Sequence, residues 1–150
     1  MNKTNTDYSK LGIAIASALE AEKYGLDASQ RIFQILFAVR RDEAKAQYHV
    51  GRVYADGDYG FMDPFIAFDW ISKAASQGLA SAQWKLGRMY STGESVPKDD
   101  VKALALYRLA ADQGLREAQH SMGVRYLNGK GGLTPDRDEA MRWFRLAGTI

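Results

Sequence analysis

No cysteine occurs anywhere in the chain, which excludes disulfides and thiolate-bound metals. Histidine is almost as scarce. His49 and His120 do not fall into a ligand set at metal-binding spacing, so neither a metal nor a cofactor is expected. Charge of one sign is also missing: 20 Lys and Arg stand against 18 Asp and Glu, a formal net charge of +2. The two signs are interspersed along the sequence, with no basic stripe that would follow a phosphate backbone, so nucleic acid is not an expected partner. No apolar run approaches the roughly 20 residues that span a bilayer, and a membrane is not expected either.

What the chain does contain is repetition. Ala46-Gln47, Ala82-Gln83 and Ala118-Gln119 recur at a spacing of 36 residues, a period that signals stacked supersecondary units rather than a one-site enzyme. At 46% hydrophobic and 25% charged residues, the composition supports one continuous core and a single domain.

Each copy reads as a helix pair. Ala46, Val50 and Tyr54, then Ala82, Leu86 and Tyr90, then Ala118, Met122 and Tyr126 fall at helical spacing and define a first helix. Gly51, Gly87 and Gly123 sit inside it, where glycine costs about 1 kcal/mol relative to alanine; their recurrence predicts close approach of another backbone. Gly57, Gly93 and Gly129 are placed to end the first helix. Asp63, Asp99 and Asp136 are placed to cap the second. That second helix carries a stripe of Ala67, Trp70, Ile71, Ala74 and Ala75, repeated from Ala103 to Ala111 and from Ala140 to Ala147. Gln77-Gly78-Leu79 and Gln113-Gly114-Leu115 then terminate the unit.

These residues resemble the Sel-1-like repeats, relatives of the tetratricopeptide repeats. The second copy carries the resemblance best, from Ala82-Gln83 through Leu86-Gly87, Tyr90, Gly93 and Val96-Pro97-Lys98-Asp99 to Lys102-Ala103, Tyr107, Ala110-Ala111 and Gln113-Gly114. The resemblance implies an all-α fold, an α/α superhelix forming a right-handed solenoid of helix-turn-helix pairs. It also implies a scaffold or adaptor that binds other proteins, normally without catalysis. Repeats are expected at 44–79, 80–115 and 116–150, within a single domain over 1–150. The apolar residues of 28–39 lie in register with a preceding second helix, so 8–43 is read as a degenerate N-terminal pair that caps the stack.

Two terminal features add expectations. Lys3 and Lys10 precede Leu11 to Ala18 in faint imitation of a secretory signal, but that stretch is short and runs into Glu20, Glu22 and Lys23. A bacterial cytoplasmic setting is expected. At the other end Met141, Leu146 and Ile150 are candidates for exposure where a further repeat would pack, and homo-oligomerisation through this end is an expectation.

Surface positions of the first helices align into columns that differ between copies: Tyr48, Trp84 and His120; His49, Lys85 and Ser121; Arg52, Arg88 and Val124. Aromatics and arginines dominate interface energetics because they bury large areas with few rotors. Tyr48, His49, Arg52, Trp84, Lys85, Arg88 and His120 are therefore the expected contacts to a protein partner on a concave surface. The competing reading is packing for the aromatics, and a bridge to Asp56 or Glu94 for the arginines. The loop after the first copy adds Tyr59 and Phe61, crowded with Met62, Phe65 and Ile66, as a second candidate patch.

No catalytic constellation is present. Gly129-Lys130-Gly131-Gly132 lacks the spacing of a phosphate-binding loop, and the carboxylates at Asp99-Asp100 and Asp136 to Glu139 are explained by capping. The chain reads as a binding module and not as an enzyme. An immunity-type inhibitor of a toxin effector is the alternative reading. Hydrolase activity, proposed for cysteine-rich relatives, is a third and finds no cysteine here.

Overall fold

A computed structural model describes residues 44–57 and 62–150, and every one of its elements is a helix. The order is α1 (Ala44–Asp56), α2 (Pro64–Ser76), α3 (Ala80–Thr92), α4 (Asp100–Asp112), α5 (Arg116–Asn128) and α6 (Arg137–Leu146). Odd-numbered helices are the first of each pair and even-numbered helices the second. The N-terminal pair expected over 8–43 lies outside the described residues, as do Tyr59 and Phe61 of the first loop.

Local chemistry sets the helix ends. Asp63 accepts from the amides of Phe65 and Ile66 at 3.0 and 3.1 Å, Asp99 from that of Lys102 at 2.9 Å, and Asp136 from that of Glu139 at 3.0 Å. Each uses a carboxylate to satisfy amides that the first turn leaves open. A further bond recurs: the amides of Asp63, Asp99 and Asp136 donate to the carbonyls of Tyr54, Tyr90 and Tyr126 at 3.1, 2.9 and 2.8 Å. This ties the second helix's start to the first helix's end, and the third copy, whose Asp136 follows Tyr126 by ten residues where Asp99 follows Tyr90 by nine, keeps the tie. The second helices close as predicted. Leu79 and Leu115 donate back to Ala74 and Ala110 at 3.4 and 3.2 Å, past glycines at φ 89° and 91°.

The stripe of the second helix meets the stripe of the first. Ala67, Ile71, Ala74 and Ala75 pack with Ala82, Leu86 and Met89, and Ala103, Tyr107, Ala110 and Ala111 pack with Ala118 and Met122. Small residues let the axes come close while Trp70 and Tyr107 fill the space between layers. At the mid-helix glycines the approaching group is the second helix of the same pair, and mainly its side chain rather than the backbone predicted. A Cβ on Gly123 would stand 2.5 Å from the Phe144 ring, one on Gly87 2.9 Å from the Tyr107 ring, and one on Gly51 2.5 Å from Ile71 Cγ1.

Within a repeat, two glutamines at a recurring 30-residue spacing share a hydrogen bond. Gln77 Nε2 donates to Gln47 Oε1 at 2.7 Å, and Gln113 Nε2 donates to Gln83 Oε1 at 2.8 Å. Gln47, Gln83 and Gln119 are all buried, so an amide partner removes the cost of sequestering their polar ends. With one extra residue before Asp136, the third copy has Ile150 where that second glutamine would fall, and Gln119 Nε2 turns to the Ala111 carbonyl at 3.3 Å.

Candidate functional site

The first helices reach one another through their side chains. Lys85 Nζ of α3 lies 3.5 Å from Asp56 Oδ1 of α1, and Trp84 Nε1 of α3 donates to Ser121 Oγ of α5 at 3.2 Å. Tyr48 senses charges from all three first helices. Burial pushes its hydroxyl above the ordinary value of 10.0, Arg52 opposes that, and Asp56 and Glu117 add to it, with Arg88 opposing. Glu117 is two repeats further along the chain, so side chains of α1, α3 and α5 share one side of the stack, here termed the inner layer.

The expected contact residues divide into two groups on this layer. Tyr48 and Trp84 are half-buried, Tyr48 against the core between the first and second repeats and Trp84 against the core between the second and third. Packing on the next repeat is thus part of what both aromatics do. Replacing Trp84 will perturb the junction as well as the surface. His49, Arg52, Arg88 and His120 are exposed. Arg52 makes the local pair with Asp56 at 3.4 Å that the spacing predicted. Arg88 does not pair with Glu94; its guanidinium lies over the Trp84 ring at 5.2 Å. The His120 ring lies 5.2 Å from that of Phe144 of α6, tilted at 48°. Lys85 is partly covered and shares Asp56 with Arg52.

A cleft of about 480 Å³ opens at the third-repeat end of this layer. Trp84 forms one wall and Ala147 with Thr149 the other, and Glu117, His120 and Ser121 of α5 lie between them. Arg116 closes one side, its Nε donating to the Ala147 carbonyl at 3.0 Å and capping the end of α6. Arg116 and Glu117 escaped the sequence columns because column 44/80/116 reads Ala, Ala, Arg and column 45/81/117 reads Lys, Ser, Glu. Neither is aromatic nor recurrent, and only the fold brings them beside Trp84.

Arg125 was also missed. It occupies the column held by Val53 and Met89, and at 4% exposure it is buried in the same way as Met89 at 6%. Its Nη1 pairs with Asp100 Oδ1 at 3.0 Å, its Nη2 donates to Ser91 Oγ at 2.8 Å, and its guanidinium lies 4.9 Å from the Tyr107 ring. Burial by itself would raise the Asp100 carboxyl, but the hydrogen bond and charge of Arg125, with Lys98 and Lys130, hold it below the ordinary carboxylate value of 3.8. The group is a staple among α3, α4 and α5. The glycine-rich third loop folds over the same place: a Cβ on Gly131 would lie 2.6 Å from the Asp100 carbonyl oxygen. Gly131 thus serves a close backbone approach.

On the outer edge, Met62, Phe65 and Ile66 of the first loop and the start of α2 are exposed, at 72%, 69% and 37%. Leu146 and Ile150 are exposed at 63% and 62%, while Met141 is partly covered. Among the described residues no group of histidine and carboxylate side chains could hold a metal ion, and no helix is long and apolar enough to cross a membrane.

A family model for the Sel1 repeat matches three times, over residues 44–79, 80–115 and 116–149. The chain belongs to the Sel1 repeat family. A Sel1 repeat protein of Oxalobacter formigenes is 29% identical with a TM-score of 0.72, over 86% of this chain and 92% of that one. A protective antigen present in uropathogenic Escherichia coli strains, displaying the same fold, is 40% identical with a TM-score of 0.72 over 77% of this chain. This chain spans about a quarter of that antigen's length, 25% of it being covered. The cysteine-rich protein B of Helicobacter pylori shares the fold at 21% identity and a TM-score of 0.60, over 77% of this chain and 87% of that one. A search of the curated proteins returns no match. Sel1 repeats are generally protein-interaction modules, and the all-helical solenoid expected from the sequence is the fold observed.

Proposed function

We propose that this Sel1 repeat chain is a non-catalytic scaffold or adaptor that holds a protein partner against the inner layer of α1, α3 and α5. One observation carries the reading. Most positions identical in all three copies are taken up by packing, capping and termination, whereas the columns of Arg52, Arg88 and His120 are not the same in all three, and these side chains remain at the surface of one shared layer. A solenoid presents such a layer as an extended binding surface. Exposed arginine beside a fixed aromatic, as at Arg88 over Trp84, is the residue chemistry of interface hot spots.

The test uses two surface variants of the whole chain. Affinity capture with quantitative mass spectrometry identifies the partner. Binding is then compared for Arg52→Ala/Arg88→Ala/His120→Ala and for Met62→Ser/Phe65→Ser, with thermal melting as the control for folding. Loss in the first variant and retention in the second supports the inner layer. The reverse result moves the contact to the first loop and refutes the proposal. One tightly held partner would favour the inhibitor type of module over an adaptor serving several clients.

A further inference from the structure

The near-neutral sequence conceals a segregation of charge that only the fold makes visible. The three first helices carry six cations, Lys45, Arg52, Lys85, Arg88, Arg116 and Arg125, against two anions, Asp56 and Glu117. The three second helices carry six cations against five anions. All the first-helix cations except Arg125 lie at least partly at the surface. The inner layer is therefore cationic while the outer layer is balanced.

The pairing on that layer leaves acceptor-seeking groups. Asp56 is shared by Arg52 and Lys85 at 3.4 and 3.5 Å, so one carboxylate serves two cations at long range. Arg88 pairs with no carboxylate among the described residues, and its guanidinium carbon lies over the Trp84 ring, 5.2 Å from the ring centroid. A guanidinium fixed in this way keeps its planar fork of donors free at lower entropic cost, and that fork fits a carboxylate with two parallel hydrogen bonds. Glu117 limits the cationic ground to the first two repeats, because it puts a carboxylate into the cleft beside Trp84 and His120.

We infer that the partner presents an acidic segment to the inner layer, with its carboxylates across Arg52, Lys85 and Arg88 and its neutral residues toward the Glu117 end. The inference rests on the proposed protein-binding role and names the chemistry of the segment recognised. Charge complementarity argues for a peptide over a nucleic acid. Asp56 and Glu117 interrupt the cations, which opposes a backbone bearing a phosphate at every residue but accommodates carboxylates placed at intervals.

Selection from a random twelve-residue peptide display library on the whole chain tests this. The same selection is run on Arg52→Glu/Arg88→Glu, both exposed positions, once circular dichroism and melting show that the variant is folded. Peptides recovered on the native chain should be enriched in Asp and Glu. Their binding, read by fluorescence anisotropy, should weaken about tenfold or more in the variant, and also between about 50 and 300 mM salt. Glu117→Gln should tighten it. Peptides that bind with no acidic enrichment, or that bind the variant equally well, overturn the acidic preference while leaving the protein-binding role standing. Recovery of no binder at all overturns both. Tighter binding of an oligouridylate than of any recovered peptide replaces the inference with a nucleic-acid surface.

Discussion

Arg125 offers the sharpest test of how the second and third repeats are joined. Its guanidinium is almost wholly buried and satisfied by Asp100, Ser91 and the Tyr107 ring. Removing one member of a buried pair costs about 3–5 kcal/mol when the other charge is stranded. Here Asp100 keeps 29% exposure and can be rehydrated, so the cost of the lost pair falls below that range. Arg125→Met supplies the side chain that Met89 provides one repeat earlier and leaves no large void; it should cost about 2 kcal/mol, chiefly the lost charged hydrogen bonds. Arg125→Ala adds a cavity and should cost about 3–4 kcal/mol. At about 2–4 °C per kcal/mol for a chain of this size, the melting temperature should fall by roughly 4–8 °C and 6–16 °C respectively. The assay is thermal and urea unfolding followed by circular dichroism. Arg125→Met melting at or above the native temperature would refute the staple and show the arginine to be a burden on the junction.

Several further outcomes are expected. Asp100 has a folded value below its ordinary 3.8, so its contribution is fully present above about pH 4–5 and lost as pH falls through the depressed folded value. The stability gap between the native chain and Asp100→Asn, measured by urea unfolding, should therefore be open at pH 7 and close on acidification; a constant gap would contradict it. Gly123→Ala gains about 1 kcal/mol of helix propensity but forces a Cβ to 2.5 Å from the Phe144 ring, and overpacking of about 1–3 kcal/mol should win. Combining it with Phe144→Leu should restore part of the loss in melting temperature. Asp99→Ala removes the cap on α4 at Lys102 and should lower stability by about 1 kcal/mol in the same assay.

The helix pairs were legible because their determinants are local. The glycines at Gly57, Gly93 and Gly129 and the caps at Asp63, Asp99 and Asp136 each act within a turn or two of their own position, and the observed helices end or begin beside those residues. The glutamine bonds were half visible. Gln47 and Gln77, and Gln83 and Gln113, repeat one 30-residue offset, a signal that two motifs considered separately do not disclose. Arg125 could have been found as the one charge in an otherwise apolar column, yet its partners Asp100 and Ser91 come from two other helices and share no pattern with it.

The candidate surface divides along the same line. Aligning copies drew attention to the columns of Tyr48, Trp84 and His120 and of Arg52 and Arg88, but it could not separate packing from exposure: Tyr48 and Trp84 are half-buried, whereas Arg52, Arg88 and His120 are exposed. That alignment could not show Arg88 lying on Trp84, Trp84 reaching Ser121, or Arg116 and Glu117 joining the cleft. Nor could it show that balanced charges along the chain separate into a cationic inner layer. Periodicity and capping operate over a few residues and are written into neighbouring letters. Curvature brings together residues a repeat or more apart, and the surface it creates exists only once the helices are stacked.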